Sequence, residues 1–384
     1  GMARLIIFLT IFFSLYGGLH LYALIKIKRS LGLGSGPTIA LSIFMVFMVL
    51  APVIVVRMPE WPEFALFTRV MAYFGYTWMG LLFIFVSIAF ALDICHLFLQ
   101  LGGIILQREL PSITVSSRYS FIIVFLCSLV ITGYGAFEAV SIRLEHITIK
   151  TDKIPKTVNR FRIAQISDVH LGLIVGVRRL DRIIYQIAAA KPDILISTGD
   201  LVDGQMDDSS RFADMLRKID TRHGKFAVTG NHEFYAELPR SLEFIKKAGF
   251  RMLRSENVIV SDWLNIVGVD DPTGKRYSVN TNESEKALLS KFSRDKFTLL
   301  MKHRPIVDND ATGLFDLQLS GHTHKGQIFP FSLITKLFYP ADAGLFFLEK
   351  NASLYVSRGT GTWGPPIRFL AAPEVTLIEL VPDN

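Results

Sequence analysis

Cysteine is scarce in this sequence of 384 residues. Its two cysteines, Cys95 and Cys127, both lie in apolar runs, so disulfides and cysteine-ligated zinc are excluded from the polar part that follows. Dense tracts of Lys and Arg with interleaved aromatic residues are also missing, which argues against a nucleic-acid partner. Neither a GxSxG pattern nor a P-loop occurs, so the sequence offers no signature of a serine nucleophile or of a P-loop nucleotide site.

Hydrophobic residues, by contrast, make up 50% of the chain, and most of the excess lies before residue 145. Mean hydropathy is +0.38. Four apolar segments are each long enough to cross about 30 Å of hydrocarbon. They are Leu5–Ile25, Thr38–Val56, Val70–Leu97 and Phe121–Val140. The sequence therefore predicts an all-α transmembrane region of four helices over residues 1–145.

The basic residues between these segments predict an orientation. Loops that hold Lys26, Lys28, Arg29, Arg108 and Arg118 are placed in the cytoplasm by the positive-inside rule, which puts the carboxyl-terminal domain outside. Basic residues just after the fourth segment argue the other way, but long domains cross largely regardless of charge. We expect a multi-pass protein of the cell membrane with an extracytoplasmic domain. The formal net charge of +7 suits an anionic membrane surface or an acidic substrate.

Residues 146–384 have the composition of a globular domain in which strands and helices alternate. Phe161–Ile166 reads as a buried strand, and Val177–Ala190 carries apolar residues at helical spacing. Further strands are predicted at Ile194–Thr198 and Lys225–Thr229, with helices between and after them. The carboxyl-terminal tail reads as strands only. These features predict an α/β domain.

Polar residues with metal-ligating side chains follow the predicted strands of this domain. They are Asp168, His170, Asp200, Asn231, His303, His322 and His324, with His232 next to Asn231. An Asp and a His two residues apart on an extended chain point to the same side, and parallel strands joined by crossovers end at one sheet edge. The mixed nitrogen and oxygen set suits Mn, Fe or Zn. Seven ligands are more than one tetrahedral site can use. Two ions that share one carboxylate would have four ligands each and would use all seven side chains.

The same residues carry a resemblance to a known family. The motifs are, in order, Asp168-Val169-His170, Gly199-Asp200, Gly230-Asn231-His232-Glu233, His303 and Gly321-His322-Thr323-His324. They resemble the signature of the calcineurin-like metallophosphoesterases, and the closing segments resemble a bacterial, membrane-associated branch. The resemblance covers about Phe161 to the carboxyl terminus. It implies a two-sheet β-sandwich flanked by helices, in which the βα repeat forms the first sheet.

The resemblance also implies roles for the residues. One divalent ion would be held by Asp168, His170, Asp200 and His324. The other would be held by Asp200, Asn231, His303 and His322. Asp200 would bridge the two ions and His232 would give a proton to the leaving oxygen. Glu233 stands where many members have Asp, a residue that orients the neighbouring His, and Asp203 is a supporting residue at most.

These expectations lead to one main function and two alternatives. The main expectation is a membrane-anchored phosphoesterase in which a metal-bridging hydroxide attacks a phosphoester or pyrophosphate bond. Its substrate would be associated with the membrane or the envelope and can be lipid-linked, so the expected partners are a phosphoester and membrane lipid. Within enzymes, the alternative is a broad phosphodiesterase whose spans only anchor it. The alternative outside enzymes is a metal-bound scaffold whose spans serve transport or sensing.

One stretch after the last motif is unusually apolar. Residues Ile328–Pro340, IFPFSLITKLFYP, are too few to span a membrane. One interpretation is a strand and turn buried against the domain. The other is an interfacial lip near the metals that admits an acyl or prenyl chain. Of the nearby cations, Arg358 and Arg368 are expected in surface salt bridges rather than on substrate phosphate.

Overall fold

The structure is a computed structural model that describes residues 2–58, 61–108, 117–204, 209–277 and 283–383. The chain divides into two compact units. One comprises Gly1–Ala136 with Pro365–Ile367, and the other comprises Phe137–Gly364 with Arg368–Asn384. Each is described here by itself.

Four long helices account for most of the first unit, and each contains one of the predicted apolar segments. They are α1 (Met2–Leu31), α2 (Ser35–Arg57), α3 (Pro62–Leu106) and α4 (Arg118–Val140). All four are long and apolar enough to cross a membrane. α3, with 45 residues, is far longer than the roughly 20 residues that a span requires. Near the end of α1, the Lys26 ammonium lies 2.6 Å from the Asp93 carboxylate of α3, so Asp93 is an ion-paired residue.

Among the described residues of the second unit, twelve strands form two six-stranded sheets. The first sheet has the order β1-β12-β2-β3-β4-β5. Its strands are β1 (Arg143–Thr151), β2 (Phe161–Ile166), β3 (Ile194–Ser197), β4 (Lys225–Ala227), β5 (Arg251–Met252) and β12 (Glu374–Pro382). β2 to β5 run parallel, and β12 runs antiparallel to β2. The predicted βα repeat thus builds this sheet.

The second sheet has the order β10-β11-β9-β8-β7-β6. Its strands are β6 (Glu256–Val260), β7 (Leu264–Gly268), β8 (Phe297–Met301), β9 (Leu317–Ser320), β10 (Gly344–Phe347) and β11 (Ser353–Val356). β7, β8, β9 and β11 are parallel, and the antiparallel strands β6 and β10 form its edges.

One hydrophobic core joins the two sheets. It contains Ile163 and Ile196 of the first sheet and Ile266, Leu299 and Leu317 of the second, all fully buried. The sheets therefore pack face to face, as the predicted two-sheet fold requires. Strands that are buried on both faces are rich in apolar residues, which explains why β2 and β3 were recognisable from the sequence.

Helices flank the two sheets, and all but the last of them bury apolar side chains. They are α5 (Val177–Ala190), α6 (Ser209–Arg217), α7 (Asn231–Tyr235), α8 (Leu238–Lys247), α9 (Glu285–Leu289) and α10 (Phe331–Phe338). In α5, for example, Leu180, Ile183 and Ile187 are buried at helical spacing.

The segment Ile328–Pro340 differs from the buried strand and turn that one interpretation gave it. Its central residues form the helix α10, and most of the large side chains of this helix are exposed. The periodicity of a short apolar run is not decisive, so the sequence alone could not distinguish a strand from a short helix.

Candidate metal centre

The seven predicted ligands lie just after the carboxyl ends of five strands. Asp168 and His170 follow β2, Asp200 follows β3, Asn231 follows β4, His303 follows β8, and His322 and His324 follow β9. β2, β3 and β4 are parallel neighbours in one sheet, and β8 and β9 are parallel neighbours in the other. The ligands of each sheet therefore converge at one edge, and the two edges meet.

The backbone of these residues is not extended, contrary to the reason given above for expecting Asp168 and His170 on one side. β2 ends at Ile166, and five of the residues lie in the left-handed region. Their φ angles are 51° for Asp168, 52° for His170, 52° for Asp200, 74° for His322 and 49° for His324. Such a conformation costs a non-glycine residue roughly 1–2 kcal/mol, and it turns the side chains inward directly after each strand.

The side chains form two adjacent groups of candidate ligand atoms. In the first, His170 Nε2 lies 3.1 Å from His324 Nε2, which lies 3.4 Å from Asp168 Oδ1. In the second, His303 Nε2 lies 3.1 Å from His322 Nδ1 and 3.3 Å from Asp200 Oδ2.

Asp200 connects the two groups. Its Oδ2 atom is also 3.8 Å from His170 Nε2, so one carboxylate oxygen faces an imidazole of each group. Its Oδ1 accepts a hydrogen bond from the backbone N–H of His232 at 2.8 Å, which holds the carboxylate in this orientation.

The donor set fits divalent cations. Asn231 Oδ1 is buried and has no hydrogen-bond partner among the described residues, which is costly for an amide oxygen unless a cation takes its lone pairs. The Nδ1–H of His303 donates to the Thr198 carbonyl at 2.8 Å, so its Nε2 atom is free to bind a metal. A second ring nitrogen fixed by a carbonyl is the usual support of a metal-binding His.

Burial and neighbouring charge divide the imidazoles into two classes. Burial, together with nearby imidazoles, lowers the pKa of His170 to about 3 and that of His322 to about 4. These two imidazoles are neutral, as metal ligands must be. Burial also lowers the pKa of His303, but the carboxylates of Asp200 and Asp168 outweigh burial and raise it to about 10. Without a metal cation, the protonated imidazole of His303 therefore supplies the positive charge beside these carboxylates.

His232 lies beside both groups and pairs with Asp203. Its Nδ1–H donates to Asp203 Oδ1 at 3.1 Å, and its ring centre is 4.5 Å from that of His170. Burial lowers the pKa of His232, whereas the charge of Asp200 and the hydrogen bond and charge of Asp203 raise it to about 9. His232 thus carries a proton at neutral pH, and Asp203 supports its ring through this hydrogen bond.

Glu233 does not have the role that the resemblance implied for it. Its carboxylate accepts hydrogen bonds from backbone N–H groups, at 2.6 Å from Gly230, 2.9 Å from Asp200 and 2.8 Å from Leu201. It therefore ties the loop after β3 to the start of α7, while Asp203 orients His232. The additional methylene of Glu suits this longer reach.

Two glycines permit the close approach of these loops. A Cβ atom on Gly321 would overlap the Ser167 hydroxyl and the Asp168 carboxylate, and one on Gly230 would overlap the Asp200 carboxylate. The glycines of the GHTH and GNHE motifs are thus required by space beside the ligands.

Three aromatic residues beside the ligands were missed in the sequence analysis. The rings of Tyr235 and Trp363 lie 5.3 Å and 5.8 Å from His232, and that of Tyr339 lies 5.2 Å from His322. Tyr339 lies in the apolar stretch Ile328–Pro340 and Trp363 in one of the closing segments that carry the resemblance, but nothing in either segment distinguished these rings from their neighbours.

The nearby arginines have different surroundings. Arg304 pairs with Asp271 at 2.8 Å beside Tyr339. Arg358 pairs with Glu145 and Glu374, as a salt-bridge residue should. Arg368 was expected at the surface, but it is fully buried and donates to the carbonyls of Gly361, Arg358 and Ala371.

Comparison with known proteins gives the family. Residues 161–326 match the family model for the calcineurin-like phosphoesterase. An uncharacterized metallophosphoesterase of Aquifex aeolicus is 40% identical over 249 residues, which are 65% of this chain and 95% of that protein. A transmembrane protein with metallophosphoesterase domain from Danio rerio is 30% identical over 67% of this chain, and the chain spans 62% of its length.

Among solved structures, a dimetal phosphatase from Danio rerio is similar over 56% of this chain and 90% of that chain, at 11% identity. The TM-score of this match is 0.36. The family model and the sequence relatives show that this chain belongs to the calcineurin-like phosphoesterase family, whose members are metal-dependent hydrolases of phosphoester bonds.

Proposed function

We propose that this protein is a membrane-anchored phosphoesterase with a dinuclear metal centre. The observation that carries the proposal is the position of Asp200, whose Oδ2 atom lies 3.3 Å from His303 Nε2 and 3.8 Å from His170 Nε2. A carboxylate between two imidazole groups is what a pair of ions with one shared ligand requires.

The seven side chains divide between two divalent ions, which are Mn, Fe or Zn. Asp168, His170, Asp200 and His324 would hold one ion. Asp200, Asn231, His303 and His322 would hold the other. Bound here, such ions neutralise phosphate oxygens and lower the pKa of water, which supplies a nucleophile at neutral pH.

His232 and Asp203 handle the proton in this proposal. The His232 imidazolium is the proton donor to the leaving oxygen of the substrate. Asp203 fixes the ring by accepting from Nδ1–H, so Nε2 is the atom that gives up its proton. The rings of Tyr235 and Trp363 pack near this imidazole.

The four helices motivate the membrane part of the proposal. Residues 1–145 would form a multi-pass anchor and residues 146–384 an extracytoplasmic catalytic domain. An enzyme confined to a membrane meets substrates at that surface most often, so we propose a membrane- or envelope-associated phosphoester or pyrophosphate. This part rests on the length and hydropathy of the helices and on the charge of their loops.

The test is hydrolysis by the full-length protein in detergent. Chromogenic phosphodiester and phosphomonoester would be assayed with Mn²⁺, Zn²⁺ or chelator, with bound metal counted by mass spectrometry. Asn231→Ala should lose metal and activity. His232→Ala should retain metal and lose roughly 10²–10⁴-fold in kcat. His223→Ala, outside the site, is the control.

Each other outcome removes one part of the proposal. Chelator-resistant turnover would exclude metal catalysis. Two bound metals without hydrolysis of soluble or vesicle-borne esters would favour the metal-bound scaffold. Full activity on soluble nucleotides alone would remove the membrane-associated substrate and leave a phosphodiesterase with an anchor.

A further inference from the structure

The helix α10 has the reverse of the usual amphipathic pattern. Five of its eight residues are large, apolar and exposed, and Leu337 and Phe338 are 81% and 74% exposed. They are Phe331, Leu333, Ile334, Leu337 and Phe338, here called the α10 face. Its buried residue is the polar Thr335. A helix in water normally buries its apolar residues, so this arrangement marks a surface that another apolar phase covers.

Both ends of α10 are attached to the metal centre. His324 lies seven residues before Phe331, the first residue of α10. Between them, Gly326 approaches the backbone of Ser332 so closely that a Cβ atom on Gly326 would overlap it. Tyr339 follows the last residue of α10, and its ring packs on His322. The α10 face therefore extends from the rim of the site itself.

The start of α10 also lies near the point at which the chain enters the domain. The Phe329 N–H donates to the Phe369 carbonyl at 3.1 Å, and the Arg143 N–H donates to the Pro373 carbonyl at 2.9 Å. Phe369 and Pro373 are at most about 14 Å apart along an extended chain. Arg143, the first residue of β1, is thus within roughly 20 Å of Phe329.

This entry point identifies what covers the α10 face. Between α4, which is apolar enough to cross a membrane, and β1 there are two residues, Ser141 and Ile142. The domain is thereby held at a bilayer surface, with the start of α10 within roughly 20 Å of the first residue of β1. The single charged residue of α10, Lys336, is a cation with a half-exposed side chain, which suits anionic headgroups.

We infer that the α10 face docks into the lipid bilayer and brings the metal centre to the level of the headgroups. The substrate would then be a phosphoester carried by a lipid, with its headgroup at the ligands and its acyl chain beside Leu337 and Phe338. Docking stands on the exposure and tether of α10, whereas the lipid substrate rests on the proposed function. Interfacial helices insert by about 5–10 Å, a depth that the side chains of a short helix can reach.

The depth of α10 can be measured directly in the full chain. Cys95 and Cys127 are replaced by Ala, and a nitroxide is attached to Leu337→Cys in vesicles of phosphatidylethanolamine and phosphatidylglycerol. We expect the label to be accessible to oxygen and shielded from a soluble nickel chelate. The matched control is Ile259→Cys on the opposite edge strand β6, an exposed apolar position that should remain accessible to nickel. Nickel access at 337, or shielding from both reagents by a second protein copy, would overturn docking.

Two matched esters test the substrate. One is a diacylglycerol p-nitrophenyl phosphodiester in the same vesicles, and the other is soluble bis-p-nitrophenyl phosphate. The double variant Leu337→Ser/Phe338→Ser should lose roughly tenfold in kcat/KM on the lipid ester and retain its activity on the soluble ester. Equal loss on both would overturn the lipid substrate. If neither ester is hydrolysed by the unaltered protein, the proposed function fails, while the nitroxide result still decides docking.

Discussion

Asp203 Oδ1 lies 3.1 Å from His232 Nδ1, so the carboxylate three residues after Asp200 sets the orientation of the proposed proton donor. This pairing joins the loop after β3 to the first turn of α7. The two nearby carboxylates thus have different neighbours. Asp200 faces the candidate metal ligands, whereas Asp203 faces the imidazole of His232.

Replacement of Asp203 by Asn should therefore lower kcat by roughly 10–10²-fold and leave metal content unchanged. The amide retains the shape of the side chain but removes the charge that raises the pKa of His232. The alkaline limb of the pH–rate profile should move to lower pH, because an imidazolium with a lower pKa loses its proton at lower pH. Kinetics across pH measure both effects, and Asp214→Asn on the exposed face of α6 is the control. An unchanged profile would show that Asp203 does not act through His232.

Metal binding should release a proton. The pKa of His303 is raised to about 10 in the absence of metal, so this ligand is protonated at pH 7 and must lose its proton to coordinate. Affinity should therefore rise with pH, by about tenfold per unit for each proton released, up to the pKa of His303. Calorimetric titration with Mn²⁺ in buffers of different ionisation enthalpy counts the protons. Identical heats in all buffers would contradict the prediction.

Gly321→Ala should abolish activity by displacing a ligand. The new methyl group would meet the Asp168 carboxylate and the Ser167 hydroxyl, which are fully buried and unable to retreat. We expect at least a 10²-fold loss of kcat/KM, with one metal missing per chain by mass spectrometry. Gly204→Ala is the matched control, since a Cβ there has no neighbour within 4 Å. Full metal content in the Gly321 variant would argue against this reading of the space.

Arg368→Met should destabilise the protein. The guanidinium is 0% exposed and satisfies several backbone carbonyls of the segment after β11, so its loss leaves buried acceptors without donors. The expected loss is about 3 kcal/mol or more, visible as a lower Tm of the full chain in detergent. Arg182→Met, at an exposed position of α5, should change Tm little. Equal Tm values for the two variants would show that the carbonyls find other partners.

Periodicity and motif spacing predicted much of this fold. The bounds of β2 and α5 are those expected from the sequence, because β2 is a short, largely apolar segment followed by polar residues and α5 carries a clear helical stripe. The convergence of the ligands was also predictable, since parallel neighbouring strands end at one edge.

Other features depend on tertiary structure that a single sequence does not encode locally. The left-handed backbone at Asp168 is imposed by the loops that close around it, not by the preference of Asp. Tyr339 and Trp363 lie in segments that the sequence singled out, but their contacts with His322 and His232 depend on how those segments fold back on the site. The helix of α10 was hidden because it has only eight residues, too few for the periodicity of an apolar run to decide between strand and helix.

The division of ligands between the sheets has a consequence for the life of the protein. Asp168, His170, Asp200 and Asn231 extend from the first sheet, and His303, His322 and His324 extend from the second. Cations bound by both sets would cross-link the two sheets and would raise the free energy of unfolding by RT ln(1 + [M]/Kd) for each site. The amount of this protein that persists in a cell would then follow the local supply of metal, and starvation for metal would remove the protein as well as its activity.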